Sequence, residues 1–185
     1  MTNTRKLTIV AVFSALSFLL MLYQVSIGID FLKADFSTIP ILLALVLLDL
    51  KSSILVILIR SVLKLALNGH GAETLVGLPI NIIAVLVFLL VFAWIWNRKK
   101  TLLRFVLSSV VGTLVLTVSM VLVNYFYAIP LYARFVGVDI ATMVGVEKYI
   151  LAMVIPFNLL EGILWAVTFW MFYTVLQPFI KTYEK

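Results

Sequence analysis

The sequence has no cysteine and one histidine, and only 12% of its 185 residues are charged. Each shortage removes some chemistry. Without cysteine there is no disulfide, thiol nucleophile, thiolate metal site or iron–sulfur cluster. The single histidine, His70, rules out a zinc site built from two or three histidines of this chain. No G-x-x-x-x-G-K-[ST] loop occurs, so ATP is not hydrolysed by the P-loop route. There is no G-x-S-x-G elbow, and no Ser-His-Asp set can be nominated. The basic residues sit at the ends of apolar runs rather than along one face, which gives nucleic-acid binding no support.

Apolar surface is abundant instead. Hydrophobic residues make up 64% of the chain, and mean hydropathy is +1.22. A soluble domain of this size buries only about 70% of the surface that its unfolded chain exposes. So much apolar surface must face lipid, and the chain reads as an integral membrane protein. A crossing helix needs about 20 apolar residues. The spans predicted on this basis are 7–27, 37–50, 52–67, 78–96, 102–127 and 149–176. The fold expected is an all-α bundle of six transmembrane helices in one domain, residues 1–185. A single re-entrant hairpin over 37–67 is the alternative to two spans turning near Asp49 and Lys51. Arg5 and Lys6 before the first apolar run imitate a secretory signal, but that run exceeds the usual apolar region of about 7–15 residues, so it reads as a retained helix.

Lys and Arg placement sets orientation. With the N-terminus inside, nine basic residues are cytoplasmic (Arg5, Lys6, Lys51, Arg98, Lys99, Lys100, Arg104, Lys181, Lys185) and three are outside (Lys33, Arg134, Lys148). Both termini are then cytoplasmic.

Polar groups inside a bilayer cost free energy and invite a functional reading. Arg60 and Lys64 lie one turn apart, either facing a pocket or pairing inside the bundle with Glu161 or Asp49. Asn81, in the stretch Gly77-Leu78-Pro79-Ile80-Asn81, is expected near the start of the fourth helix, with Pro79 in the first turn, where its missing N–H costs nothing. Asn124 and Asn158 fall at similar depth on helices five and six. A primary amide offers two donors and an acceptor, which suits a heterocycle edge bearing N–H and C=O groups. It also suits a plain interhelical hydrogen bond. Glu161 follows Asn158 by three residues and shares its face. The outer segments 28–36 and 68–74 read as a lid and as a glycine-rich loop, the latter able to approach a flat ligand. His70 reads as a loop hydrogen-bonding group. The tryptophans Trp94, Trp96, Trp165 and Trp170 suggest interface belts, while Phe36, Tyr125 and Tyr127 are candidates to stack on a ring. Ala11 and Ala15 form a small-x-x-x-small pair that allows close helix approach.

Taken together, Ala11-x-x-x-Ala15, the segment Lys33-Ala34-Asp35-Phe36-Ser37-x-x-Pro40, the Asn-Tyr-Phe run from Asn124, and Pro156-Phe157-Asn158-x-x-Glu161-Gly162 resemble the substrate-binding S components of energy-coupling-factor (ECF) vitamin transporters, most closely the riboflavin-specific ones. The resemblance implies a bundle open to the outside that binds riboflavin as its transported ligand, with no cofactor and no enzymatic activity. It also implies partners: one transmembrane coupling subunit, met by Ala11 and Ala15, and two cytoplasmic ATP-binding subunits. The binding residues expected are Asp35, Phe36, Asn68, Gly71, Thr74, Leu78, Asn81, Asn124, Tyr127, Asn158 and Glu161. Location in the bacterial plasma membrane as a multi-pass protein follows. The competing readings are an S component for thiamine, biotin or folate, a small membrane enzyme using Glu161 and Arg60, and a scaffold bundle without ligand.

Overall fold

The computed structural model describes residues 3–26, 32–96 and 101–183. Helix α1 (Asn3–Leu22) is followed by strands β1 (Val25–Ser26) and β2 (Lys33–Ala34), then α2 (Thr38–Leu47), α3 (Leu50–Leu67) and α4 (Ala72–Trp96). Helix α5 (Leu102–Val123) continues through a π-helical turn (Asn124–Ala128), the short α6 (Ile129–Leu131) and a second π-helical turn (Tyr132–Val136). After the short α7 (Ile140–Met143), α8 (Val146–Tyr149) runs through a third π-helical turn (Ile150–Val154) into α9 (Ile155–Tyr183).

Among the described residues, four stretches are long and apolar enough to cross a membrane: Asn3–Leu22, Ala72–Trp96, Leu102–Val136 and Val146–Pro178. The other two expected spans differ. Helix α2 has 10 residues, about 15 Å of rise, half a hydrocarbon core. Helix α3 has 18 residues but carries Lys51, Arg60 and Lys64. They are separate helices, as expected. Asp49 caps α3 by accepting from the Ser52 amide at 2.8 Å and the Ser52 hydroxyl at 3.0 Å. Asp49 also pairs with Lys6 of α1 at 2.5 Å. The hydrogen bond from that ammonium holds its carboxyl below the usual carboxylate range.

Nine of the ten α2 residues are buried. A helix apolar all round belongs in an interior, and α2 lies against α1, α3, α4 and α9. Around it, α1 packs on α3, α3 on α4, α4 on α5 and α5 on α9. The α5–α9 seam depends on Gly162, where an added Cβ would lie 2.7 Å from Thr113 Cγ2. Helix α1 turns Val10, Ser14, Ser17 and Met21 inward, while Ala11 and Ala15 are exposed on its other side. They therefore form no seam within this bundle.

Several expectations need correction. Helix α4 begins at Ala72, not Leu78. The polar stretch that reads as a loop is its first turn: Gly71 takes a positive φ of 63°, and the Thr74 hydroxyl accepts from the His70 amide at 2.8 Å. Pro79 consequently lies inside the helix. Trp96 and Trp165 are not belt residues, being 1% and 0% exposed. They join Phe88, Phe92, Phe105, Phe169, Trp170 and Tyr173 in an aromatic cluster. Trp94, 65% exposed, does face outward. Among the described residues the only strands form a short ladder: Val25 pairs with Ala34 and Ser26 with Lys33. The second strand of this ladder falls within the expected lid 28–36, whose residues 28–31 lie outside the described residues. So does the basic run 97–100.

Candidate functional site

An open cavity of about 150 Å³ lies among α1, α3, α4, α5 and α9, beside the π-helical turns that follow α5 and precede α9. Part of its wall is apolar: Met21, Leu32, Leu78, Ile80, Ala84, Met120 and Phe157. The polar groups converge on it from separate elements. Asn81 comes from α4, Asn124 from the end of α5, Asn158 and Glu161 from α9, and Tyr132 and Tyr149 from the turns between. Lys33, Lys64, His70, Glu73 and Thr74 also line it. Lys33 donates to Glu73 at 3.2 Å, joining β2 to the first turn of α4.

The helix irregularities have a chemical cause. Proline lacks a donor, and its ring clashes with the carbonyl four residues earlier. Pro130 and Pro156 each stand two residues past a π-helical turn, where the wider turn relieves that clash. Such turns re-aim side chains and recur at functional sites. Here Asn124 and Ala128 point inward while Tyr125 and Phe126 are 54% and 72% exposed.

Hydrogen-bond partners set what each amide can offer. Carbonyl oxygens only accept, so the Asn124 and Asn158 amide nitrogens must be the atoms facing Met120 O and Val154 O, both at 2.8 Å. Arginine only donates, so the atom 2.7 Å from Arg60 Nη2 is Asn81 Oδ1. The Tyr149 hydroxyl donates to Asn124 Oδ1 at 2.6 Å. Asn81 therefore keeps its two N–H groups, Asn124 keeps one, and Asn158 keeps one N–H and its carbonyl oxygen. The last two are not open amides with full donor and acceptor capacity, as the sequence suggests. Each is tied to its own helix.

Behind the cavity lies a polar core. Arg60 is wholly buried and donates to Ser37 Oγ as well as Asn81. Asp35 and Glu161 lie near enough to interact with it electrostatically. The Asp35 carbonyl accepts from Trp165 Nε1 at 3.1 Å, and its carboxylate accepts from the Ser37 amide at 2.8 Å. Ser17 of α1 donates to the Ser37 carbonyl at 2.6 Å. Arg60 and Lys64 do share the inward face of α3, but Asp49 pairs with Lys6 instead of either. Lys64 donates to Asn68 Oδ1 at 2.5 Å.

Of the expected binding residues, Thr74, Leu78, Asn81, Asn124, Asn158 and Glu161 line the cavity. Asp35, Phe36, Asn68, Gly71 and Tyr127 do not. Asp35 is buried in the polar core, and Phe36 and Tyr127 pack on the apolar core. Asn68 ends α3 as the acceptor of Lys64, and Gly71 is an exposed turn. Arg60 does not reach the cavity, so the pairing of Glu161 with Arg60 imagined for an enzyme is not formed there. Sequence reading missed Tyr132, Tyr149, Gln24 and the apolar wall. Only the prolines flanking the π-helical turns carried a signal for the two tyrosines.

The family model for the substrate-specific component of ECF transporters matches residues 5–173. The chain is 48% identical to the riboflavin transporter RibU of Streptococcus thermophilus, over 97% of this chain and 86% of that protein. It is 40% identical to RibU of Leuconostoc mesenteroides, over 100% and 97%. It is 30% identical to the riboflavin transporter FmnP of Bacillus subtilis, over 97% and 95%. A solved structure of the S component of a bacterial ECF transporter superposes with a TM-score of 0.81 at 27% identity, over 97% of this chain and 99% of that one.

Proposed function

The chain belongs to the substrate-specific components of ECF transporters, and we propose that it binds riboflavin in the amide-lined cavity and delivers it for uptake by a separate energy-coupling module. The observation that carries this reading is the convergence of Asn81, Asn124 and Asn158 on one cavity whose wall also offers Met21, Leu32, Leu78, Ile80 and Phe157. Riboflavin has a flat ring system with one edge of alternating carbonyl and N–H groups and another edge of methyl groups. An apolar slot with a few placed donors and acceptors is the general form of a small-molecule site. Riboflavin carries no phosphate, so no arginine cluster is required. The names of the relatives in Streptococcus, Leuconostoc and Bacillus support the same ligand.

The proposed membrane arrangement is six crossings, with α2 and α3 each serving as one, and both termini on the cytoplasmic side of a bacterial plasma membrane. The nine-to-three bias of basic residues supports it. The cavity then opens outward. Energy for uptake against a gradient comes through a coupling subunit and two ATP-binding subunits. Ala11 and Ala15, exposed on α1, are the proposed docking stripe, since small side chains permit close helix approach.

Protein purified from riboflavin-fed cells should be yellow, with a flavin absorption spectrum. Colourless protein that also fails to quench added riboflavin would refute the ligand. Replacing Ala11 and Ala15 together by Trp should leave riboflavin affinity intact but abolish uptake and co-purification with the coupling subunit. Continued transport by that variant would refute the docking stripe.

A further inference from the structure

Tyr149 lines the cavity, and its hydroxyl donates to Asn124, which lines it too. The contact is short at 2.6 Å, both groups are buried, and it joins α8 to the end of α5 across 25 residues of sequence. Asn124 has a second tie, from its amide nitrogen to the Met120 carbonyl. Two ties at opposite ends of one planar amide fix its plane. What remains for a ligand is one N–H. Asn158 spends one N–H on Val154 and keeps the other N–H and its oxygen.

We propose that Tyr149 is a positioning residue for ligand selection: by occupying Asn124 Oδ1 it presents Asn124 to the cavity as a hydrogen-bond donor, beside Asn158, whose oxygen can accept. The ligand class selected is a planar heterocycle whose edge carries a carbonyl beside an N–H. Without Tyr149 the Asn124 carbonyl has no donor and turns toward the cavity, where it opposes the ligand's own carbonyl. A hydrogen-bonding site left unmatched discriminates far more strongly than a mismatch in apolar shape. The inference rests on the riboflavin reading above.

The test is a double-mutant cycle of Tyr149→Phe and Asn124→Ala, with riboflavin affinity measured by fluorescence quenching on the full chain in detergent. Tyr149→Phe keeps the ring and its packing. It should weaken riboflavin about fivefold in the native background, the effect of one uncompensated hydrogen bond. In the Asn124→Ala background the same change should alter affinity less than about twofold, because the group it positions is gone. The visible absorption of bound flavin reads the hydrogen bonds at its ring edge, and in Tyr149→Phe it should move toward that of Asn124→Ala. A structural role alone would lower the melting temperature and leave this spectrum in place. Equal losses in both backgrounds, or an unchanged spectrum, would overturn the positioning role while leaving the riboflavin reading intact. Native protein that binds no riboflavin would overturn both. Should Asn124→Ala fail to fold, Asn124→Ser serves as the second corner of the cycle, with the same outcomes.

Discussion

Helices α4, α5 and α9 each run through two unlike halves of this bundle. At one end the rings of Phe88, Phe92, Trp96, Phe105, Phe169 and Trp170 interlock, with Phe105 and Trp170 centroids only 4.4 Å apart and Phe92 meeting Phe169 edge-on at 5.5 Å. The helices there are regular and the space is filled. At the other end the same helices hold amides, tyrosines and a carboxylate around a cavity, and two of them pass into π-helical turns. In lipid there is little hydrophobic drive between helices, and packing and hydrogen bonds must hold them together. The filled end supplies that packing, so the other end can stay open. Stability and binding should therefore separate along the length of the same three helices.

The largest break in this comparison should come from Phe92→Ala. Phe92 is wholly buried among four rings, and truncation leaves a cavity costing about 3 kcal/mol. Thermal unfolding in detergent should show a clear fall in midpoint, while riboflavin affinity stays within about twofold. A matching loss of affinity would show that the two halves are not separable. Gly162→Val probes the seam between them, where a Cβ would run into Thr113. Overpacking of this kind costs about 1–3 kcal/mol, and the thermal midpoint should fall less than for Phe92→Ala.

How much of this contrast was legible in the sequence differs between the halves. Asn124, Asn158 and Glu161 stood out because an amide or carboxylate inside an apolar run is costly. Trp96 and Trp165 were misplaced because a core and a lipid belt are both apolar, and composition does not distinguish them. The first turn of α4 was hidden by its polarity: Glu73 and Thr74 line a wet mouth, so helical residues look like loop. Tyr149 gave no sign of its partner, since its contact with Asn124 exists only once two π-helical turns bring the elements together. Asp35 was expected among the binding residues, but it is buried in the polar core and does not line the cavity.

At the open end, Asn124→Leu should weaken riboflavin at least about fivefold, the effect of leaving a buried ligand atom unpaired at roughly 1 kcal/mol or more. Its thermal midpoint should fall less than that of Phe92→Ala. Unchanged affinity would remove Asn124 from the site.

The smallest effect is expected at Lys6 and Asp49, which belong to neither region. The Asp49 carboxyl titrates below its usual range because Lys6 donates to it. A group with a depressed folded pKa contributes stability above its unfolded value, about 3.9 for Asp, and loses it as pH falls through the folded value. Native protein should therefore lose part of its thermal midpoint below about pH 4, and Asp49→Asn should flatten that portion of the profile. The pair is exposed, with side chains 39% and 43% accessible, so the change should be slight. An identical acid profile in the variant would mean that this bridge contributes nothing measurable.

The central claim is that the open end binds riboflavin through amides held in place by their own helices. The most direct measurement is a riboflavin quenching titration of Asn158→Leu beside the native chain. The account predicts saturable quenching of the native protein and a loss of at least about fivefold in the variant. Equal affinity in the two proteins would contradict it.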